Sequence, residues 1–182
     1  MHPEIIIKIR ELRKQFEDNL VLDGINLNIC RGETLVVMGG SGCGKSVLLK
    51  NITGLIKPDS GEILFEGKNI TGFTREELFK MRMSFGMLFQ GSALFDSMSV
   101  GDNVALPLVK HTDLTNVQIE KIVLEKLDLV GLADVTDKYP AELSGGMKKR
   151  VALARAVVMD PEVVLYDEPT TGLDPVMAGV IN

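Results

Sequence analysis

Eight consecutive residues, Gly39-Gly40-Ser41-Gly42-Cys43-Gly44-Lys45-Ser46, constrain this chain more than any other stretch. They fit the pattern G-x-x-x-x-G-K-[ST]. The apolar run Leu35-Val36-Val37-Met38 precedes them and reads as a strand, while Val47-Leu48-Leu49-Lys50 follows and reads as a helix. Strand, glycine loop and helix is the context that makes this pattern a phosphate-binding loop. Glycines let the backbone take positive φ and come close to a polyphosphate, so that successive N–H groups face its oxygens. A helix opening at Lys45 adds the positive end of its dipole. Lys45 is placed to reach the β- and γ-phosphates, and the Ser46 hydroxyl to ligate Mg²⁺. A flexible Gly/Ser turn is the bland alternative, and the flanking strand and helix weigh against it. A thiol at Cys43, inside such a loop, should be reactive if exposed.

The 182 residues are enough for one domain or slightly more. A hydrophobic content of 45% beside 25% charged residues is ordinary globular composition. The net charge of −5 argues against a nucleic-acid partner, which favours a basic face. Two cysteines, Cys30 and Cys43, do not suggest a disulfide framework, so a reducing cytosol is the simpler expectation. The N-terminal run Ile5-Ile6-Ile7 is too short for a signal peptide. No window reaches the roughly 18 apolar residues of a membrane span, so membrane association would run through a partner.

Ile5 to Leu12 and Leu20 to Cys30 read as strands, with Glu17-Asp18-Asn19 between them and Asp23-Gly24 as a further turn. Ile25, Leu27 and Ile29 alternate with Asn26 and Asn28, the mark of a half-buried strand. Phe16 falls on the intervening loop, as a core residue or as a ring presented to an adenine. Gly54 is expected to end the helix after the glycine loop, and Glu62 to Glu66 to form a short strand. Arg75 to Arg82 reads as a helix and Ser84 to Phe89 as a strand ending at Gln90. From Gly91 to Met159 the pattern turns helical. Thr115-Asn116-Val117-Gln118 is a capping box, with Ile119, Ile122, Val123, Leu127 and Val130 on one face behind it. Ser144 caps a helix from Gly145 to about Met159. Val163-Val164-Leu165-Tyr166 is an apolar run of the kind buried on both faces of a parallel sheet. Asp174-Pro175 starts a last helix, and the sequence stops after about two turns of it, as if the domain were cut.

Two more constellations suggest chemistry. Asp167-Glu168 follows the buried strand; the aspartate can orient a Mg²⁺ shell, and the glutamate can polarise an attacking water. By itself the pair is an ordinary strand end; a glycine loop some 120 residues upstream makes it the second half of a nucleotide site. Leu143-Ser144-Gly145-Gly146-Met147 opens a helix with exposed backbone N–H groups, an anion-binding surface, ahead of the basic turn Lys148-Lys149-Arg150. Its plainer reading is a capped helix with a solvated basic turn.

Gly39–Ser46, Gln90, Leu143–Met147, Val163–Glu168 and Gly172-Leu173-Asp174, in that order, resemble the ATP-binding subunits of ABC transporters. The resemblance covers nearly the whole chain. It implies an α/β P-loop NTPase fold with an antiparallel β-subdomain and a helical subdomain, C-terminally truncated here. The core would span residues 1–90 and 160–182 and the helical part 91–159. On that likeness ATP and Mg²⁺ are bound, with Gly39, Gly40, Ser41, Gly42, Cys43, Gly44, Lys45, Ser46 and Val47 on the phosphates and Phe16 stacked on adenine. Ser46, Gln90 and Asp167 would serve the metal, while Glu168 would be the general base assisted by Lys45 and Gln90. Ser144, Gly145 and Gly146 would meet the γ-phosphate of a second, identical subunit. The implied partners are that subunit and an integral-membrane permease, at the inner face of the cell membrane. Met87 to Val100, Asp102-Asn103-Val104, Leu106-Pro107-Leu108 and the LSGGM spelling look closer still to the Mce-associated, Mla-type phospholipid-transport ATPases.

Two departures stand out. Met147 replaces the usual glutamine and cannot hydrogen-bond as an amide does. The family's switch histidine has no counterpart, since His2 and His111 are the only histidines and neither matches. The competing classes are a soluble ABC-type ATPase acting in translation or DNA repair, and a different P-loop enzyme such as a kinase. The first usually shows tandem units or an inserted coiled coil, and Leu143–Met147 argues against the second.

Overall fold

β1 (Ile5–Phe16) carries Ile7, Ile9 and Leu12 inward, all essentially sealed from solvent. It lies between two antiparallel neighbours, β2 (Asn19–Cys30) and β3 (Ser60–Phe65), and the two-residue β4 (Lys68–Asn69) completes the order β2-β1-β3-β4. The register runs Ile7↔Ile29 and Ile9↔Leu27 on one side and Ile7↔Phe65 and Ile9↔Ile63 on the other. The structure, a computed structural model, describes residues 4–88 and 92–167. It divides into two compact units between Arg82 and Met83.

In the first unit the alternation of Ile25, Leu27 and Ile29 with the exposed Asn26 and Asn28 holds as expected. Asp23-Gly24 is no turn: β2 runs through it, with Gly24 at φ 66° opposite an irregular stretch of β1. The extra length is stapled by Asn26, whose Oδ1 accepts from the Glu11 N–H and whose Nδ2 donates to the Gly24 carbonyl. Helix α1 (Lys45–Ile52) buries Leu48, Asn51 and Ile52. Past its cap, Gly54 stands at φ 64°, its N–H bonds the Asn51 carbonyl and the Leu55 N–H bonds the Lys50 carbonyl, a Schellman ending. Arg82, the last residue of α2 (Arg75–Arg82), donates to the Thr53 and Gly54 carbonyls at 2.9 and 2.8 Å. A cation thus closes the negative end of α1.

Leu35–Met38, expected as the strand before the glycine loop, is not one here. Residues 33–40 have no regular structure, and Val36 and Met38 are 72% and 88% exposed. The physical reason is pairing: an apolar run becomes a strand only when neighbours take its backbone groups, and no strand among the described residues pairs with it.

In the second unit, β5 (Phe85–Leu88) pairs in parallel with β6 (Val163–Tyr166), in register Phe85↔Val163 through Leu88↔Tyr166. Only Leu165 of β6 is buried, so the expectation of a strand covered on both faces is not met with a single described neighbour. Three helices build the core: α3 (Val100–His111), α4 (Asn116–Leu129) and α5 (Gly145–Val157). The capping box at Thr115 and Gln118 forms as read, and Ile119, Val123, Leu127 and Val130 face Val104, Leu108, Val151 and Leu153. Asn103 sits in that apolar core at 0% exposure, yet it bonds the Phe95 N–H and the carbonyls of Phe95, Met98 and Ser99. Its burial is cheap because its amide is satisfied.

Gly86 of β5 faces the α5 backbone, and a Cβ there would run into the Ala156 carbonyl. Gly86→Ala is therefore expected to cost about 1–3 kcal/mol, the usual penalty of overpacking against something that cannot yield. Gly72→Ala, where a Cβ meets nothing within 4 Å, should stay within about 0.5 kcal/mol of the parent. Urea midpoints of the two variants measure the difference.

Candidate functional site

The glycine loop is built against β2. Gly44 stands at φ 97°, and a Cβ there would lie 2.9 Å from Val21 Cγ1 and 3.0 Å from the Val21 carbonyl oxygen. Conformation and close approach both demand glycine. Gly42 also takes positive φ, at 78°, in open space. Gly44 is the cap residue of α1 and lends no side-chain hydrogen bond to the first turn. The first-turn amides of α1 therefore have no side-chain acceptor from the cap, and no acidic residue sits there. Lys45 folds back over the loop, its Nζ donating to the Gly39 and Gly40 carbonyls, each at 2.9 Å, and lying 3.9 Å from Cys43 Sγ. Ser41, Gly42 and Cys43 are exposed, while Lys45, Ser46 and Val47 are half-buried at the helix start. An exposed loop with two left-handed glycines, a cation and an uncapped helix N-terminus fits an oligophosphate.

Phe16 is the last residue of β1, paired with Asn19, rather than a loop residue, and 43% of it is exposed. The core reading of this ring is thereby excluded. Lys14 holds its ammonium 5.3 Å from the ring centroid while its Nζ pairs with Asp59 at 2.8 Å. Asp59 also accepts from the Gln15 N–H at 2.7 Å. The Lys14 hydrogen bond, with that amide, holds the Asp59 carboxyl below the usual range. The ring is thus presented at the end of β1.

In the second unit, Ser144 caps α5 as expected, its Oγ accepting from the Met147 N–H at 3.3 Å. Gly145 and Gly146 are exposed, with nothing within 4 Å of where a Cβ would stand. Met147 packs its side chain onto the helical core, so at this position packing replaces the amide of a glutamine. The basic turn is not simply solvated: Arg150 donates to the Val130 and Gly131 carbonyls at 3.3 and 3.0 Å, closing the end of α4. Asp167 follows β6, its N–H bonded to the Leu88 carbonyl at 3.0 Å. Tyr166 keeps a buried hydroxyl without a partner among the described residues, and burial pushes it up from the usual phenol range. Gln90, Glu168, Gly172-Leu173-Asp174 and the helix expected from Asp174 lie outside the described residues. No cluster of three or more His, Cys, Asp or Glu able to hold a metal occurs among the described residues. No helix among them is long and apolar enough to cross a membrane.

Sequence reasoning missed Arg155. It is half-buried on α5 and donates to the Ala93 and Ser92 carbonyls at 2.9 and 3.0 Å. An arginine within the apolar run Val151 to Val158 was the available signal.

Both cysteines are free. Burial, and then the neighbouring Glu33 carboxylate, push the Cys30 thiol up, so less of it is thiolate at neutral pH. A maleimide at pH 7 is therefore expected to modify the exposed Cys43 rapidly and Cys30 slowly, with Cys30 catching up as pH rises. Mass spectrometry of the labelled peptides checks this; equal rates at pH 7 would contradict it.

The profile of the ABC transporter family matches residues 22–171. The chain is 46% identical over 178 residues to the probable ribonucleotide transport ATP-binding protein mkl of Mycobacterium leprae, covering 98% of this chain and 51% of that protein. It is 46% identical over 176 residues to the intermembrane phospholipid transport system ATP-binding protein MlaF of Haemophilus influenzae, covering 97% of this chain and 67% of that protein. The chain thus spans between half and two thirds of these relatives. Among solved structures, cbiO1 of Clostridium perfringens, part of the ABC transporter complex cbiONQ, is similar with a TM-score of 0.86 at 41% identity, covering 98% of this chain and 71% of that one. The ATP-binding cassette MJ0796, a dimer in a post-hydrolysis state bound to ADP and Pi, is similar with a TM-score of 0.85 at 33% identity, over 96% and 79%. A profile match over most of the chain, relatives near half identity and this α/β fold together make the chain a member of the ABC transporter ATP-binding family.

Proposed function

We propose that this chain is the nucleotide-binding part of an ATP-hydrolysing subunit that powers a membrane transporter of phospholipids. The observation that carries the reading is the loop of Gly39 to Ser46, exposed from Gly39 to Cys43 and opening α1 with Gly42 and Gly44 left-handed and no side-chain cap. The ATP-binding names of the relatives support nucleotide as the ligand. The MlaF relatives' names and the likeness of Met87 to Val100 and LSGGM favour phospholipid over the ribonucleotide in the mkl name. The core would comprise residues 1–90 and 160–182, with a helical part from 91 to 159.

ATP supplies the γ-phosphoryl group that passes to water, and Mg²⁺ would neutralise charge building on it. In this reading the residues from Gly39 to Val47 hold the phosphates and Lys45 exchanges its loop carbonyls for phosphate oxygens. Phe16 stacks on the adenine ring. Ser46, Gln90 and Asp167 would hold the metal's shell. Glu168 takes the proton of the attacking water. Ser144, Gly145 and Gly146 present an open helix N-terminus to the γ-phosphate held by a second copy of the subunit. A permease at the inner face of the membrane receives the resulting motion, and the chain contacts no nucleic acid.

Glu168→Gln keeps shape and hydrogen bonding but cannot accept the proton. In the full-length protein it is expected to lower hydrolysis by about 10²–10⁴-fold, the worth of a positioned base. Nucleotide affinity should hardly change, and two ATP molecules should be trapped between subunits. The variant should dimerise with Mg-ATP and not with Mg-ADP, and Ser144→Arg should abolish the dimer while leaving monomer binding intact. Sedimentation measures both; a Glu168→Gln protein monomeric at saturating Mg-ATP would refute the role given to Ser144.

A further inference from the structure

We infer that Arg155 is a positioning residue for nucleotide turnover, holding the backbone at Ser92 and Ala93 in a conformation it would otherwise leave. Ser92 and Ala93 stand at φ 61° and 47°, two successive non-glycine residues in the left-handed region. That conformation is strained for residues bearing a Cβ, so something must hold it. Arg155 reaches 62 and 63 residues back in sequence and places one guanidinium nitrogen on each carbonyl, at 2.9 and 3.0 Å. A planar fork suits two fixed acceptors as a single ammonium cannot. The guanidinium is partly desolvated there, a cost its two acceptors offset.

The next turn of the chain is pinned as firmly. Asn103, fully buried in α3, bonds both backbone groups of Phe95 and the carbonyls of Met98 and Ser99. Residues 92–99 therefore form a strap fastened to α5 at one end and α3 at the other. The α5 end belongs to the helix that Ser144 caps. In sequence the strap begins two residues after Gln90. Neither Arg155 nor Asn103 belongs to the residues assigned to nucleotide or metal above. Arg155 acts through the backbone it holds, and this inference rests on the nucleotide reading of the preceding subsection.

The experiment uses the full-length protein and measures steady-state ATP hydrolysis, Mg-ATP affinity and thermal midpoint together. Arg155→Ala is expected to lower kcat by about tenfold or more, the usual effect of losing an outer support, with KM and Mg-ATP affinity within about twofold. Ala93→Gly, which removes the strain the arginine restrains, should restore a large part of kcat in the Arg155→Ala background. Loss of packing alone would show no such rescue. Arg155→Lys is run beside it, so that an insoluble alanine variant does not remove the test; its kcat should also fall and also recover with Ala93→Gly. Unchanged kcat in a folded Arg155 variant, or a fall that glycine does not relieve, would overturn the inference. Lys45→Ala separates the two claims: if it binds Mg-ATP as the parent does, the nucleotide reading itself fails.

Discussion

A helix begins at Lys45 behind a cap residue, Gly44, that offers its first turn no side-chain hydrogen bond, and the shape of the loop follows from that glycine. Most helices close this end with Ser, Thr, Asp or Asn, as α3, α4 and α5 of this chain do through Ser99, Thr115 and Ser144. Here Gly44 occupies the cap, held at positive φ and pressed to the Val21 backbone, where a side chain would collide. Lys45 completes the arrangement by bridging the Gly39 and Gly40 carbonyls, so the cation is already stationed at the loop.

Elsewhere the chain shows the opposite tactic, with long polar side chains sent to close backbone groups that secondary structure leaves open. Arg82 closes α1, Arg150 closes α4, Asn26 closes the irregular stretch of β1 and β2, and Asn103 holds the turn before α3. Each joins stretches distant in sequence or fixes a local irregularity, and each pairs a backbone group at the cost of one ordered side chain. Two stretches stay exposed, residues 39–43 before α1 in the first unit and Gly145 and Gly146 after Ser144 in the second.

Where local chemistry decides, the sequence is a good guide. The glycine pattern, the Thr115 capping box, the Ser144 cap and the helical face of Ile119, Val123, Leu127 and Val130 follow from side-chain rules acting within one or two turns. Where a partner strand decides, it is not. Leu35–Met38 has the composition of a strand, but composition cannot supply the neighbour whose backbone would pair with it. Asp23-Gly24 has the composition of a turn, yet the ladder on either side carries β2 straight through as an irregularity. The partners of Arg150 and Arg155 were unreadable for a third reason, because each arginine bonds carbonyls 19 to 63 residues away that no periodicity reveals.

The central claim is that the backbone from Gly42 to Ser46 is itself the phosphate ligand. Amide NMR of the isotope-labelled protein tests it most directly, by titrating Mg-ATP and, separately, adenosine. Hydrogen bonding to phosphate oxygens predicts large downfield shifts of the Gly42, Gly44, Lys45 and Ser46 amide protons with Mg-ATP and essentially none with adenosine. Saturable Mg-ATP binding that leaves those four amides unmoved would contradict the account.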